Sequence, residues 1–160
     1  MFTKSRMAEE IRLGNVWFGR DGKGVPRLKQ FLGAANRGIN PDTLWLAHDV
    51  GTTDLAKKHL LRMFPRGTPF DTPKPESLIA RLLHIASAPG ELILDAYLGS
   101  GTTAAVAHKM NRKYIAIDEN PAAISISAAR LAKVVEGEEG GISKDVSWKG
   151  GSGFDLFRLR

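Results

Sequence analysis

The segment Asp95-Ala96-Tyr97-Leu98-Gly99-Ser100-Gly101-Thr102-Thr103 has the residue types of a ligand-binding turn: a carboxylate, then glycines interleaved with hydroxyl side chains. Glycine lets a backbone turn tightly and approach a ligand closely, and the free amides at a helix start favour negatively charged groups. On this reading the space beside Gly101 belongs to the ligand, so Gly101→Val is expected to abolish binding and leave the fold intact. Asp118 follows Gly99 by 19 residues, near the spacing at which an acidic residue on the next strand receives ribose hydroxyls. The pair points to an adenosine-containing ligand.

Several ligands share that logic. A nucleoside-triphosphatase loop needs Gly-Lys-Ser/Thr, whereas Gly101 is followed by Thr102. Gly99-x-Gly101-x-x-Ala104 does satisfy the looser dinucleotide fingerprint, so a nicotinamide or flavin oxidoreductase is the rival enzyme class. Asp95, four residues before the first glycine, would repel a pyrophosphate and accept a hydrogen bond from the amino group of a methionine moiety. That carboxylate favours S-adenosylmethionine.

The elements that must position these residues follow from periodicity and punctuation. Pro75 suits the first turn of a helix with Leu78, Ile79, Leu82, Leu83, Ile85 and Ala86 on its apolar side, stopped by Pro89-Gly90. Glu91 to Asp95 is a short apolar strand, the Gly-rich turn opens a helix to about Met110, and Tyr114 to Ile117 is the next strand. Asn120 caps a third helix with Pro121 at its first position and Ile124, Ala128, Leu131 and Val135 buried. This alternation predicts an α/β fold with a parallel sheet, and Asp95 and Asp118 stand at the strand ends where ligands gather.

Upstream, residues 1–40 read as irregular with one short strand near Val16-Trp17-Phe18, and the basic residues Lys23, Arg27, Lys29 and Arg37 are available to a phosphate backbone or simply solvated. Leu44-Trp45-Leu46 reads as a strand, and a helix from Thr53-Asp54 to Pro65 is expected to bury Leu55, Leu60, Leu61 and Phe64. Downstream, residues 136–141 read as a linker, and Val146 to Trp148 with Phe154 to Leu159 as a terminal hairpin.

Composition sets the outer bounds. With 160 residues, 42% hydrophobic and 25% charged, one folded domain with a real core is expected. No apolar run approaches the roughly 20 residues of a membrane helix, so no membrane association is expected and cytoplasm is the default compartment. The absence of cysteine excludes disulfides and thiolate metal sites. A net charge of +6 suits a polyanionic partner such as nucleic acid. His48, His59, His84 and His108 lack the spacing of a metal set and read as surface or packing residues, so no metal is expected. Trp17, Trp45 and Trp148 read as packing anchors before base-stacking platforms, and Ser125 and Ser127 lack a base that would make them nucleophiles.

Three stretches, Thr72-Pro73-Lys74-Pro75-Glu76, Asp95 to Thr103 and Asn111 to Pro121, are similar to the cofactor motifs of DNA amino-methyltransferases. Their order resembles the permuted class, in which the catalytic half precedes the cofactor half. Leu13 to Gly19, Pro26 to Leu32, Trp45 with Val50-Gly51, and Gly151-Ser152-Gly153-Phe154 resemble, more particularly, the modification subunit of type III restriction systems. The resemblance implies a partial Rossmann-like, three-layer S-adenosylmethionine-dependent methyltransferase fold acting on adenine N6, with a restriction subunit as a further partner. It divides the chain into a connector and partly DNA-facing region (1–70), the cofactor-binding core (71–135) and a linker with terminal hairpin (136–160).

It also implies roles. Asp95, Tyr97, Gly99 and Gly101 would form the loop around the methionine part, with Ser100, Thr102 and Thr103 as polar or helix-start contacts. Asp118 would bind the ribose, and Thr72 and Lys74 would line the other side of the methionine moiety. Asn120 belongs to the same set, although a helix cap explains it equally well. Ala96 and Tyr97 depart mildly from the family's loop. The larger departure is that no Pro-Pro pair occurs in the chain, whereas the family holds its flipped base with an Asp or Asn followed by Pro-Pro and an aromatic residue. No catalytic residue is therefore assigned, and the chain reads as a truncated product or one half of a split enzyme, with a homodimer or complementary chain covering the exposed sheet edge. The alternative of a different class is a basic nucleic-acid-binding module with a vestigial pocket.

Overall fold

A computed structural model describes residues 3–31, 33, 40–67 and 70–158. The chain forms two units, Met1–Pro41 and Asp42–Arg160. The first holds helix α1 (Lys4–Arg12) and the two-residue strands β1 (Val16–Trp17) and β2 (Arg27–Leu28). Helix α1 was not expected, because it buries no residue and so has no apolar stripe to read. It starts where the Thr3 hydroxyl accepts from Arg6 N. The strands pair antiparallel, Val16 with Leu28 and Trp17 with Arg27. Arg37 lies outside the described residues.

The second unit contains α2 (Ala47–Val50), α3 (Thr53–Met63), α4 (Glu76–Ala86), β3 (Leu92–Asp95), α5 (Thr102–Lys109), β4 (Lys113–Ala116) and α6 (Pro121–Val135). Strand β3 pairs with β4 in parallel, from Leu92 with Lys113 to Asp95 with Ala116. The crossover between them is α5, whose residues Ala104, Ala105, Val106 and Ala107 have no exposed surface. Three alanines in this run keep α5 slender, so the sheet, α4 and α6 can all close on it. One core cluster joins Leu83, Val106, Ala107 and Ile142 with Ile93 and Tyr114, and a second joins Leu98, Ala104 and Leu131 with Ala116 and Phe154.

Because strand side chains alternate, Ile93, Tyr114 and Ala116 meet this core and their neighbours face the other way. On that other face Leu92, Leu94, Ile115 and Ile117 are 59, 66, 51 and 47% exposed. Two of the three expected layers are thus present among the described residues. No helix among them is long and apolar enough to cross a membrane.

Several local expectations are corrected. Residues Leu44 to Leu46 form no strand; Trp45 Nε1 donates to Asp42 O and the Arg81 guanidinium lies 5.7 Å from the Trp45 ring centre. Helix α3 buries Ala56, His59, Leu60 and Met63, leaving Leu55 and Leu61 exposed. That face has regular helical spacing once His59 is admitted to it. In α4, Leu82 and Ile85 are likewise exposed, and Pro75 is the cap rather than the first helical residue.

The segment after α6 is neither a linker nor a hairpin. Its polar groups close onto the helices: Trp148 Nε1 donates to Val134 O, Gly151 N to Val135 O, and His108 Nε2 to Gly151 O. Ile142 enters the core at 3% exposure. Self-pairing of the tail is displaced by bonds to the otherwise unsatisfied carbonyls at the end of α6.

Candidate cofactor site

The site is assembled where β3 and β4 end. Ile117 N donates to Asp95 O and Leu98 N to Ile117 O, so the two chains stay joined past their last paired residues. The loop then turns through Gly99 and Gly101, with φ of +53° and +76°, values that disfavour any residue with a Cβ. Asp95 Oδ1 accepts from Tyr97 N at 2.9 Å. Asp118 Oδ2 accepts from Gly99 N at 2.8 Å and Oδ1 from Asn120 N at 2.9 Å. These backbone bonds, that from Asn120 foremost, lower the Asp118 pKa below its usual value, so it is ionised at neutral pH. Each oxygen keeps acceptor capacity, and the side chain is only partly buried.

The other expected residues divide. Thr72, Lys74 and Tyr97 are exposed, Tyr97 at 90%, and Thr103 is half-buried in the first turn of α5. Asn120 Oδ1 accepts from Ala122 N, so it is the cap of α6. Ser100 and Thr102 are buried at 5 and 4% exposure and turned inward. Thr102 Oγ1 lies 3.1 Å from Lys74 O, 2.9 Å from Arg130 Nη1 and 3.2 Å from Ser100 Oγ. The Thr72–Lys74 segment and the Gly-rich loop are therefore brought together, through Thr102.

The expectation for Gly101 is corrected. A Cβ there would lie 2.7 Å from Ser127 Cβ on α6, so its missing side chain makes room for helix packing. A branched replacement would push α5 and α6 apart.

Behind the loop lies a charged cluster that sequence reasoning missed. Glu76, at the start of α4, accepts from Arg130 Nη2 at 2.8 Å, from Lys109 Nζ at 2.9 Å and from Ile142 N at 3.1 Å. Lys109 Nζ also reaches Glu138 Oε2 at 2.5 Å and Gly140 O at 3.2 Å, and Glu138 Oε1 lies 2.6 Å from His59 Nε2. Burial raises the Glu76 pKa, but the charges of Arg130 and Lys109 outweigh it and the net displacement is downward. For Glu138, hydrogen bonds from His59 and Lys109 likewise outweigh burial and hold it at about 2. His59, Glu76 and Glu138 have the donor types of a metal set, but the cation between the two carboxylates is Lys109. The available signal was a charge inside an apolar helical run: Lys109 after Ala104 to Ala107, and Arg130 within Ala128-Ala129-Arg130-Leu131-Ala132.

A short parallel pair with a glycine turn after the first strand and a carboxylate after the second defines a nucleotide-type cofactor site of the α/β class. Residues 4–129 match the family model described as DNA methylase, and the chain belongs to that family. It is 44% identical over 113 residues to "Probable type III restriction-modification enzyme HindVI Mod subunit" of Haemophilus influenzae, a match covering 71% of this chain and 14% of that protein. It is 51% identical over 49 residues to "Type II methyltransferase M1.MboII" of Moraxella bovis, covering 31% of this chain and 19% of the relative. The chain thus spans less than a fifth of the length of either relative.

Proposed function

We propose that this chain is the S-adenosylmethionine-binding part of a DNA adenine-N6 methyltransferase of a restriction-modification system. The observation that carries the reading is the junction of Gly99 N with the Asp118 carboxylate, an ionised acceptor set at the second strand end beside a turn of two left-handed glycines. S-Adenosylmethionine supplies the methyl group. Asp118 would accept from the ribose hydroxyls, Asp95 from the methionine ammonium, and Lys74 would face the methionine carboxylate beside Thr72. Tyr97, Gly99, Gly101 and Thr103 would line the loop, Ser100 and Thr102 acting through its backbone. The base-holding Pro-Pro-aromatic segment is not among these residues, so methyl transfer to DNA by the chain alone is not expected. The bare apolar face of β3 and β4 favours completion of the third layer by a complementary chain or a second copy, with the restriction subunit a further partner.

DNA is the expected substrate, and charge supports this. Residues 1–41 contain eight Lys and Arg against three Asp and Glu, which is +5 of the chain's +6. Arg20, Lys23, Arg27 and Lys29 are all exposed, and Arg27 is paired across the ribbon with Trp17, itself 46% exposed. Cations beside an exposed aromatic ring suit a phosphate backbone with unstacked bases.

Calorimetry with S-adenosylmethionine and its demethylated product tests the cofactor assignment. Asp118→Ala should weaken binding by about 1–3 kcal/mol through loss of charge-assisted bonds. Binding of a nicotinamide dinucleotide in place of S-adenosylmethionine would overturn the reading in favour of an oxidoreductase.

A further inference from the structure

The Arg130 side chain is 2% exposed and spans three partners that belong to different parts of the fold. Its Nη1 donates to Ser100 O at 3.1 Å and Thr102 Oγ1 at 2.9 Å, and its Nη2 to Glu76 Oε1 at 2.8 Å. Lys74 O can only accept, so the single proton of Thr102 goes to it, and Ser100 Oγ must then donate to Thr102. The Thr102 oxygen therefore receives two bonds and gives one, which couples the segment before α4 to the loop before α5.

We propose that Arg130, oriented by Glu76, is a positioning residue that sets the spacing and backbone orientation of the two walls of the cofactor pocket; this rests on the cofactor reading above. The loop peptides are gripped from both sides. Asp118 holds Gly99 N, and Arg130 holds Ser100 O, the carbonyl of the peptide leading into left-handed Gly101. A loop whose amides are already aimed loses little freedom on binding. Two diverging bonds from one rigid plane are what a guanidinium supplies and an ammonium does not. Stability alone does not account for the residue: its Nε is buried with no acceptor among the described residues, and buried ion pairs are often replaced by apolar side chains without loss.

Calorimetry with S-adenosylhomocysteine on wild type, Arg130→Lys and Leu83→Ala tests this, with amide hydrogen exchange at Gly99 and Gly101 read by NMR on the free proteins. Leu83 packs against Val106, Ala107 and Ile142, away from the loop, and serves as a control for general destabilisation. Arg130→Lys should fold cooperatively, bind about tenfold more weakly or worse and exchange faster at Gly101, while Leu83→Ala binds like wild type despite a lower melting temperature. Affinity of Arg130→Lys within about twofold of wild type, or an equal loss in Leu83→Ala, would overturn the positioning role. If wild type itself does not bind, the cofactor reading falls and takes this proposal with it. Should Arg130→Lys fail to fold, Thr102→Val keeps every charge and removes only the hydroxyl bridge; unchanged affinity in that variant would also overturn the proposal.

Discussion

Replacing Lys109 with Met removes one ammonium and keeps an unbranched stem of similar length, so the packing around α5 is preserved while the charge is not. The side chain has no exposed surface and its Nζ lies 2.9 Å from Glu76 and 2.5 Å from Glu138. Without it, Glu76 retains Arg130 and Glu138 retains His59, and two buried carboxylates face each other across the vacated position. Removing one partner of a buried ion pair costs about 3–5 kcal/mol, a large share of the roughly 5–15 kcal/mol available to such a domain. Protonating a carboxylate relieves the penalty. In the variant Glu138 should therefore titrate above its unfolded value, and the deficit should shrink as pH falls through that raised pKa. Urea denaturation followed by tryptophan fluorescence at about pH 7.5 and about pH 5.5 measures both effects. Lys109→Met/Glu138→Gln should recover about 1–2 kcal/mol at the higher pH. A deficit below about 1 kcal/mol, or one identical at the two pH values, would refute the reasoning.

Three further outcomes are expected. Gly101→Ala should destabilise by about 2–4 kcal/mol, from its left-handed backbone and the contact with Ser127; adding Ser127→Gly should recover about 1 kcal/mol of it by removing the facing Cβ, and a fully stable Gly101→Ala would show the packing argument wrong. In wild type, Glu138 titrates at about 2 against an ordinary 4.5: being depressed, it contributes stability that is present above pH 4.5 and lost as pH falls toward 2, roughly 3 kcal/mol in all. Acid titration followed by circular dichroism should accordingly be shallower for Glu138→Gln than for wild type. Arg20→Ala/Lys23→Ala/Arg27→Ala should lower the salt dependence of duplex DNA binding by a slope of about 2–3, measured by anisotropy; an unchanged slope would remove the first unit from the DNA interface.

How much of this was legible depends on the range of the interactions involved. Strand β3, helix α5, strand β4 and the capped helix α6 could be read directly, because apolar runs, Gly-rich turns and Asn120-Pro121 are local signals. So could the placement of Asp95 and Asp118 at strand ends, since spacing along a strand-turn-helix unit is nearly the spacing in space. Helix α1 escaped because it buries nothing, and the terminal hairpin was misread because alternation says nothing about which partner satisfies a strand-like backbone. In the tail, α6 and His108 supplied that partner.

The sequence by itself determined the alternation of elements, the turn chemistry and the family motifs, all set by residues within a few positions of one another. Tertiary structure alone decided that Ser100 and Thr102 turn inward, that Gly101 serves helix packing, and that Glu76, Lys109, Arg130, His59 and Glu138 form one buried network. Those residues are separated by up to 79 positions, and a buried charge is tolerable only when opposite charges arrive from elsewhere in the fold. That pairing is invisible along the chain, because its energy depends on distance and dielectric surroundings, which exist only once α3 to α6 have packed.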